Sequence, residues 1–230
     1  MKAKKWVIFG LTAAIIVLAL AIILTKNDNG KAVDPHNVAV EEIEIDESIN
    51  GISVVSVDTI AGMYVEDGSN EVLSDILTVT FRNDTDTTLQ YAKLLLSVGD
   101  CEYTFEISTV PAGDSVRAME MNRKTLDGAK GNVKLSQDGI AWFTDEPSMC
   151  EDTLKITERE GALVVENISD SIVKAPAYVY YKNFTDDTYI GGITYRSGTQ
   201  QDLAPGETAV LNASHFDPEA SKLMFVSYAP

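Results

Sequence analysis

The chain has 230 residues, 45% hydrophobic and 23% charged, with 35 acidic residues against 18 basic ones and a net charge of −17. This length and apolar content exclude a disulfide mini-protein and a wholly disordered chain. The acidity excludes nucleic acid, whose phosphates need a basic face, and two histidines and two cysteines leave little for a metal or a cofactor, so none is expected.

The first predicted element is a membrane span. Residues 6–24 (WVIFGLTAAIIVLALAIIL) carry no charge, and as a helix they reach about 28 Å, one bilayer core. Lys2, Lys4 and Lys5 precede this run, and a mixed set (Lys26, Asp28, Lys31, Asp34) follows it. The positive-inside rule then makes residues 1–5 a cytoplasmic tail and places everything after the helix outside the cell membrane. A cleaved signal peptide is the other reading. A cut at Ala19-Leu20-Ala21 would leave Ile22, Ile23 and Leu24 on the new terminus, which favours an uncleaved anchor. Residues 25–50 read as an acidic stalk, with Asn-Gly and Asp-Pro turn signals ahead of Glu41, Glu42, Glu44, Asp46 and Glu47.

From residue 51 the apolar period is two. In Cys101–Ser108, Cys101, Tyr103, Phe105 and Ile107 share one face, and Leu77–Arg82 and Ala92–Val98 alternate in the same way, with Leu95 the one apolar residue on the polar face. Such runs, separated by Asn, Asp, Gly and Pro, predict half-buried antiparallel strands and an all-β sandwich.

Two turn motifs recur. Thr80-Phe81-Arg82-Asn83-Asp84-Thr85-Asp86 matches Val164-Val165-Glu166-Asn167-Ile168-Ser169-Asp170, and Val110-Pro111-Ala112-Gly113-Asp114-Ser115-Val116 matches Leu203-Ala204-Pro205-Gly206-Glu207-Thr208-Ala209. Asn and Asp accept backbone N–H bonds where a strand ends, and Pro-Gly reverses the chain before the next strand. Two copies of one plan predict two tandem domains, 51–150 and 151–230. The sequons at Asn83, Asn167, Asn183 and Asn212 are read as turns. This order of strands and turns resembles FxLYD-type and related immunoglobulin-like β-sandwich modules of exported bacterial proteins, with Val179-Tyr180-Tyr181-Lys182-Asn183 in place of the Phe-x-Leu-Tyr-Asp string. The resemblance implies architecture and compartment, not a reaction.

Candidate sites are few. Cys101 and Cys150 lie on the oxidising side of the membrane, where a disulfide closing about 50 residues would contribute roughly 4 kcal/mol; two unpaired thiols, one buried, are the alternative. The carboxylate pairs Glu66-Asp67, Asp84/Asp86 and Asp186-Asp187 read as solvated turn acids, with weak Ca²⁺ binding as the other use of Asp84, Asp86, Asp186 and Asp187. Tyr178, Tyr180, Tyr181, Tyr189 and Tyr195 crowd the second copy, either as packing or as a binding face. Gly191-Gly192, between Tyr189 and Tyr195, reads as a bulge or a close backbone approach. No arrangement of nucleophile and base is present, so the expected function is not enzymatic. It is a membrane-anchored extracellular accessory or adhesion module that binds a surface or membrane protein. A carbohydrate- or cell-wall-binding module using the second-copy tyrosines is the alternative.

Overall fold

The alternating pattern folds into strands throughout. The computed structural model describes residues 47–69, 71–126 and 133–229, and no helix there is long and apolar enough to cross a membrane. The expected span at 6–24 and the stalk up to residue 46 lie outside the described residues; the end of the expected stalk, to residue 50, is corrected, because Ser48 and Ile49 pair with Ser53 and Ile52 as a strand and turn. The first half of the described chain contributes β1 (Ser48–Ile49), β2 (Ile52–Met63), β3 (Val72–Asn83), β4 (Leu89–Val98), β5 (Cys101–Val110), β6 (Ser115–Met119) and β7 (Val133–Trp142). The second contributes β8 (Leu154–Arg159), β9 (Ala162–Asn167), β10 (Tyr178–Thr185), β11 (Thr188–Gly198), β12 (Thr208–Asn212) and β13 (Ser221–Ser227).

The strands form three sheets: a seven-stranded one in the order β1-β2-β3-β6-β11-β10-β13, and three-stranded ones in the orders β5-β4-β7 and β12-β9-β8. Triplet β6-β3-β2 is matched by β12-β9-β8, and β5-β4-β7 by β11-β10-β13. The repeat seen in the sequence is therefore a repeat of strand order. The central sheet takes one triplet from each copy and joins them by a parallel pairing of β6 with β11, Thr188 opposite Ser115, Tyr189 opposite Val116 and Ile190 opposite Arg117. The copies expected as separate domains thus share a sheet within one compact unit.

Each copy keeps its own core. In the first, Phe81 and Val79 of β3 meet Phe105, Ile107, Leu94 and Leu96 of β4 and β5, with Phe81 and Phe105 edge to face at 5.5 Å. In the second, Leu163 and Val165 of β9 meet Val179 and Tyr181 of β10, closed by Phe216 and Leu211. The face assignments for Tyr103, Phe105 and Ile107 hold, and Leu95 is half-buried. Cys101 departs from the pattern and is exposed, because it is the first residue after the Gly99-Asp100 turn at the end of the sheet. Cys150 sits in the turn that opens β8, where its carbonyl accepts from Thr153 and Leu154. Both thiols are free, so the expected bond between Cys101 and Cys150 is not formed.

The repeated turns share their hydrogen bonds, save one extra bond from Asn83 to Pro111. Asn83 is 1% exposed and Asn167 0%. Asn83 Nδ2 donates to the carbonyls of Thr87, Val110 and Pro111, and its Oδ1 accepts from the N–H and hydroxyl of Thr85. Asn167 Nδ2 donates to Ser171 and Leu203, and its Oδ1 accepts from the N–H and hydroxyl of Ser169. The backbone follows suit: Asn83 N–H donates to Asp114 and Gly113 N–H to Asn83, as Asn167 N–H donates to Glu207 and Gly206 N–H to Asn167. Each asparagine ties the end of one strand to the Pro-Gly corner two strands later. Both are closed to glycosylation by burial, in keeping with their reading as turns. Replacing Asn83 by Ala removes five side-chain hydrogen bonds and replacing Asn167 removes four, and Asn83→Ala and Asn167→Ala are each expected to lower stability by about 2–4 kcal/mol, measured from the urea midpoint.

Candidate functional sites

A buried carboxylate and a buried ammonium meet where the two copies join. After Ile190 the pairing of β6 and β11 stops; the next rung but one would set Gly192 opposite Met119. The Glu66 carboxylate occupies that place. It accepts from Met119 N–H at 2.8 Å, from Gly192 N–H at 2.9 Å and from Ile193 N–H at 3.2 Å. Glu66 comes from the tip of the β2–β3 hairpin, an arm held by Tyr64, whose hydroxyl donates to the carbonyls of Glu120 and Met121, and by Arg123, which bridges Asp67 and Glu71 at 2.7 Å each. Reading Glu66 as a solvated turn acid is therefore corrected: it is 4% exposed.

The carbonyls of the same segment are taken by Lys182. Between Tyr181, paired with Tyr195, and Asn183, paired with Ile190, β11 carries extra residues and bulges away from β10. Lys182 lies opposite that bulge, 0% exposed, and its Nζ donates to the carbonyls of Gly192 at 2.9 Å, Ile193 at 3.0 Å and Ser108 of β5 at 3.1 Å. Burial lowers the Lys182 ammonium to about 7, with Glu66 opposing the shift. Burial likewise raises the Glu66 carboxyl, against the pull of its N–H donors and of Lys182. The close approach expected at Gly191-Gly192 is present: Gly191 has φ +84°, and a Cβ on Gly192 would collide with the carbonyl oxygen of Glu106. This cluster binds backbone and lines none of the described cavities. Chemically it is a polar lock between the copies.

The tyrosines divide into two groups. Tyr181 and Tyr189 are buried, and Tyr195 is stacked between the Tyr181 and His215 rings at 5.5 and 4.7 Å. Burial raises all of these phenols, those of Tyr189 and Tyr195 to about 12. Their packing leaves no face for a ligand.

Tyr178 and Tyr180 are half-exposed on the other face of β10. Tyr180 stacks on Phe225 of β13 at 4.1 Å, Phe143 meets Phe225 edge-on at 5.4 Å, and Arg196 of β11 lies 4.7 Å over the Tyr178 ring. The Tyr180 phenol, hydrogen-bonded to the Arg196 guanidinium, pushes that group further above its ordinary value. Cross-strand register sets the row, since Tyr180 is opposite Arg196 on one side and Phe225 on the other. Phe143, Phe225 and Arg196 were not singled out in the sequence, because only pairing brings these three strands and the segment after β7 together.

No protein-family model matches the chain, and no curated protein resembles it in sequence.

The remaining candidates stay apart. Asp84 pairs with Arg82 at 3.2 Å, Asp86 accepts from Thr87, and Asp186 and Asp187 form the β10–β11 turn with positive φ. Among the described residues no group of three or more acidic, His or Cys side chains is placed to hold a metal.

Lys182→Met leaves a buried carboxylate without its cation and removes three hydrogen bonds to carbonyls, and is expected to cost about 3–5 kcal/mol; Glu66→Gln in the same chain should recover part of that loss. Chemical denaturation of the double-mutant cycle measures both. Because the Lys182 pKa is depressed to about 7 from 10.5, the unfolded chain binds more protons between those values. Stability contributed by this group therefore rises with pH across that window and is level below it. In Lys182→Met that rise is expected to vanish from the pH profile.

Proposed function

We propose that the chain is a non-catalytic, membrane-anchored extracellular accessory module that binds a protein partner or a membrane complex. In this reading a helix at 6–24 and an acidic stalk ending before β1 hold the two joined immunoglobulin-like copies, akin to FxLYD-type modules, outside the cell. The observation that carries it is the half-exposed aromatic row of Tyr178, Tyr180, Phe225 and Phe143 with Arg196 at its edge. Aromatic residues and Arg are the side chains that most often anchor protein interfaces. A rigid row set by sheet register loses little entropy on binding. The buried charged residues support a non-catalytic role, since Glu66, Glu120 and Lys182 are committed to backbone groups.

A carbohydrate platform is the alternative. It has less support, because a pyranose needs a free ring face. Phe225 covers one face of Tyr180, Arg196 lies over Tyr178, and the Tyr178 ring rests against Gly198.

Crosslinking of the tagged full-length chain in intact native cells, read by mass spectrometry, tests the proposal. A stoichiometric surface or membrane protein is expected, with capture reduced at least ten-fold in Tyr180→Ala and in Arg196→Ala. Equal capture by both variants would remove the row from the reading. Binding on a glycan array that is lost in Tyr178→Ala would move the assignment to carbohydrate.

A further inference from the structure

The repeat allows one copy to be read against the other. In the first copy, the open side of the sandwich between β6 and β5 is filled: Thr188–Ile190 pair with β6, and Gly192 and Thr194 then run against β5, where Ser108 Oγ lies 2.9 Å from Thr194 Oγ1. The filling strand, β11, comes from the second copy. The equivalent place in the second copy lies between β12 and the end of β11, and holds a groove of about 520 Å³ lined by Thr208–Asn212, Arg196–Gly198 and Gln200–Leu203. Among the described residues no strand pairs there, for β12 ends its sheet.

The backbone of β12 is set for a strand. Asn167 N–H donates to Glu207 and Ala213 N–H to Gly161, and hydrogen-bonded pairs alternate along an antiparallel ladder. Ala209 and Leu211 therefore bond β9, while the N–H and C=O of Thr208 and Val210 point into the groove. In β6 the same accounting, from Asn83 N–H to Asp114 and Glu120 N–H to Leu77, points Ser115 and Arg117 outward, and these are the residues that pair with β11. Side chains agree. Val116 is fully buried beneath Tyr189, whereas its counterpart Ala209 is only half-buried and Val210 is 69% exposed.

We infer that this groove binds an extended segment of a partner protein, which adds as a strand parallel to β12. By equivalence with Tyr189-Ile190-Gly191-Gly192, the segment carries an aromatic residue that packs beside Ala209, followed by small residues that let the chain cross towards β11. The occupant is a partner and not a second copy. The chain's own equivalent strand β11 is engaged within the molecule, and the edge of β5 is closed where Glu120 accepts from Thr104 N–H, Met121 donates to Thr104 and Lys124 to Glu102. Copies at net charge −17 also repel one another.

The test uses the full-length chain in detergent micelles with two probes: a fluorescent peptide of residues 187–195 (DTYIGGITY) and a display library with a fixed Tyr-x-Gly-Gly core. Saturable binding of one peptide per chain is expected. Val210→Pro removes a groove N–H that β9 does not use, and should weaken binding at least ten-fold, while Val210→Thr, which keeps the N–H, should not. A peptide N-methylated on alternate residues should fail to bind the unaltered protein, which keeps the test independent of whether Val210→Pro folds. Absence of any saturable binder, or binding indifferent to both Val210→Pro and N-methylation, would overturn the inference. A dimer dissolved by Val210→Pro would give the groove to a second copy instead and overturn the partner assignment. Tyr180→Ala, which tests the aromatic row, is expected to leave peptide binding unchanged, so the two readings fail separately.

Discussion

At Gly192 and Ile193 the chain leaves its neighbours on both sides. The pairing with β6 has ended, and the bulge has carried the strand away from β10. Four backbone groups would then lack backbone partners, and an unpaired group costs several kcal/mol in apolar surroundings. Glu66 takes the two N–H groups and Lys182 the two carbonyls. The two side chains arrive from different copies, one on the β2–β3 arm and one on β10. The break in the ladder is thereby turned into the joint between the copies, and the absence of a side chain at Gly192 lets the segment sit against Glu106.

That joint explains the asymmetry of an otherwise repeated plan. Both copies have the same strand order, yet they meet through unlike triplets: the β6 side of the first and the β11 side of the second. A meeting of unlike edges does not close on itself. It uses the β6 edge and leaves its equivalent, β12, open. The same arrangement turns one face of β10 into the second core and leaves Tyr178 and Tyr180 on the other, beside Phe225. Both surfaces argued to bind are consequences of how the copies are joined.

Of the candidate site, the sequence carried the tyrosine cluster and the Gly-Gly pair but not the residues that complete them. Tyr178 and Tyr180 were legible because alternation puts them on one strand face. Their neighbours Phe225 and Arg196 lie on other strands, and register is a tertiary property. Lys182 shares a face of β10 with Tyr178 and Tyr180 by alternation, and only the tertiary structure brings Ser108 of β5 over it. Glu66 stands in a polar hairpin tip and reads as a turn acid, since the N–H groups it serves on Gly192 are 126 residues away. Cys101 failed the other way, because alternation says nothing of where a sheet ends.

What the sequence determined by itself is local. The strands, the asparagine corners and the repeat follow from side-chain period and from hydrogen bonds made within a few residues, or to one matching Pro-Gly turn. These interactions are chemically the same in both copies, so their residues recur and can be read. The tertiary structure alone decided that β6 and β11 share a sheet, which charges are buried, and which edge stays open. Those outcomes depend on backbone groups left unpaired after the strands assemble. No residue announces such a vacancy until the strands around it are in place.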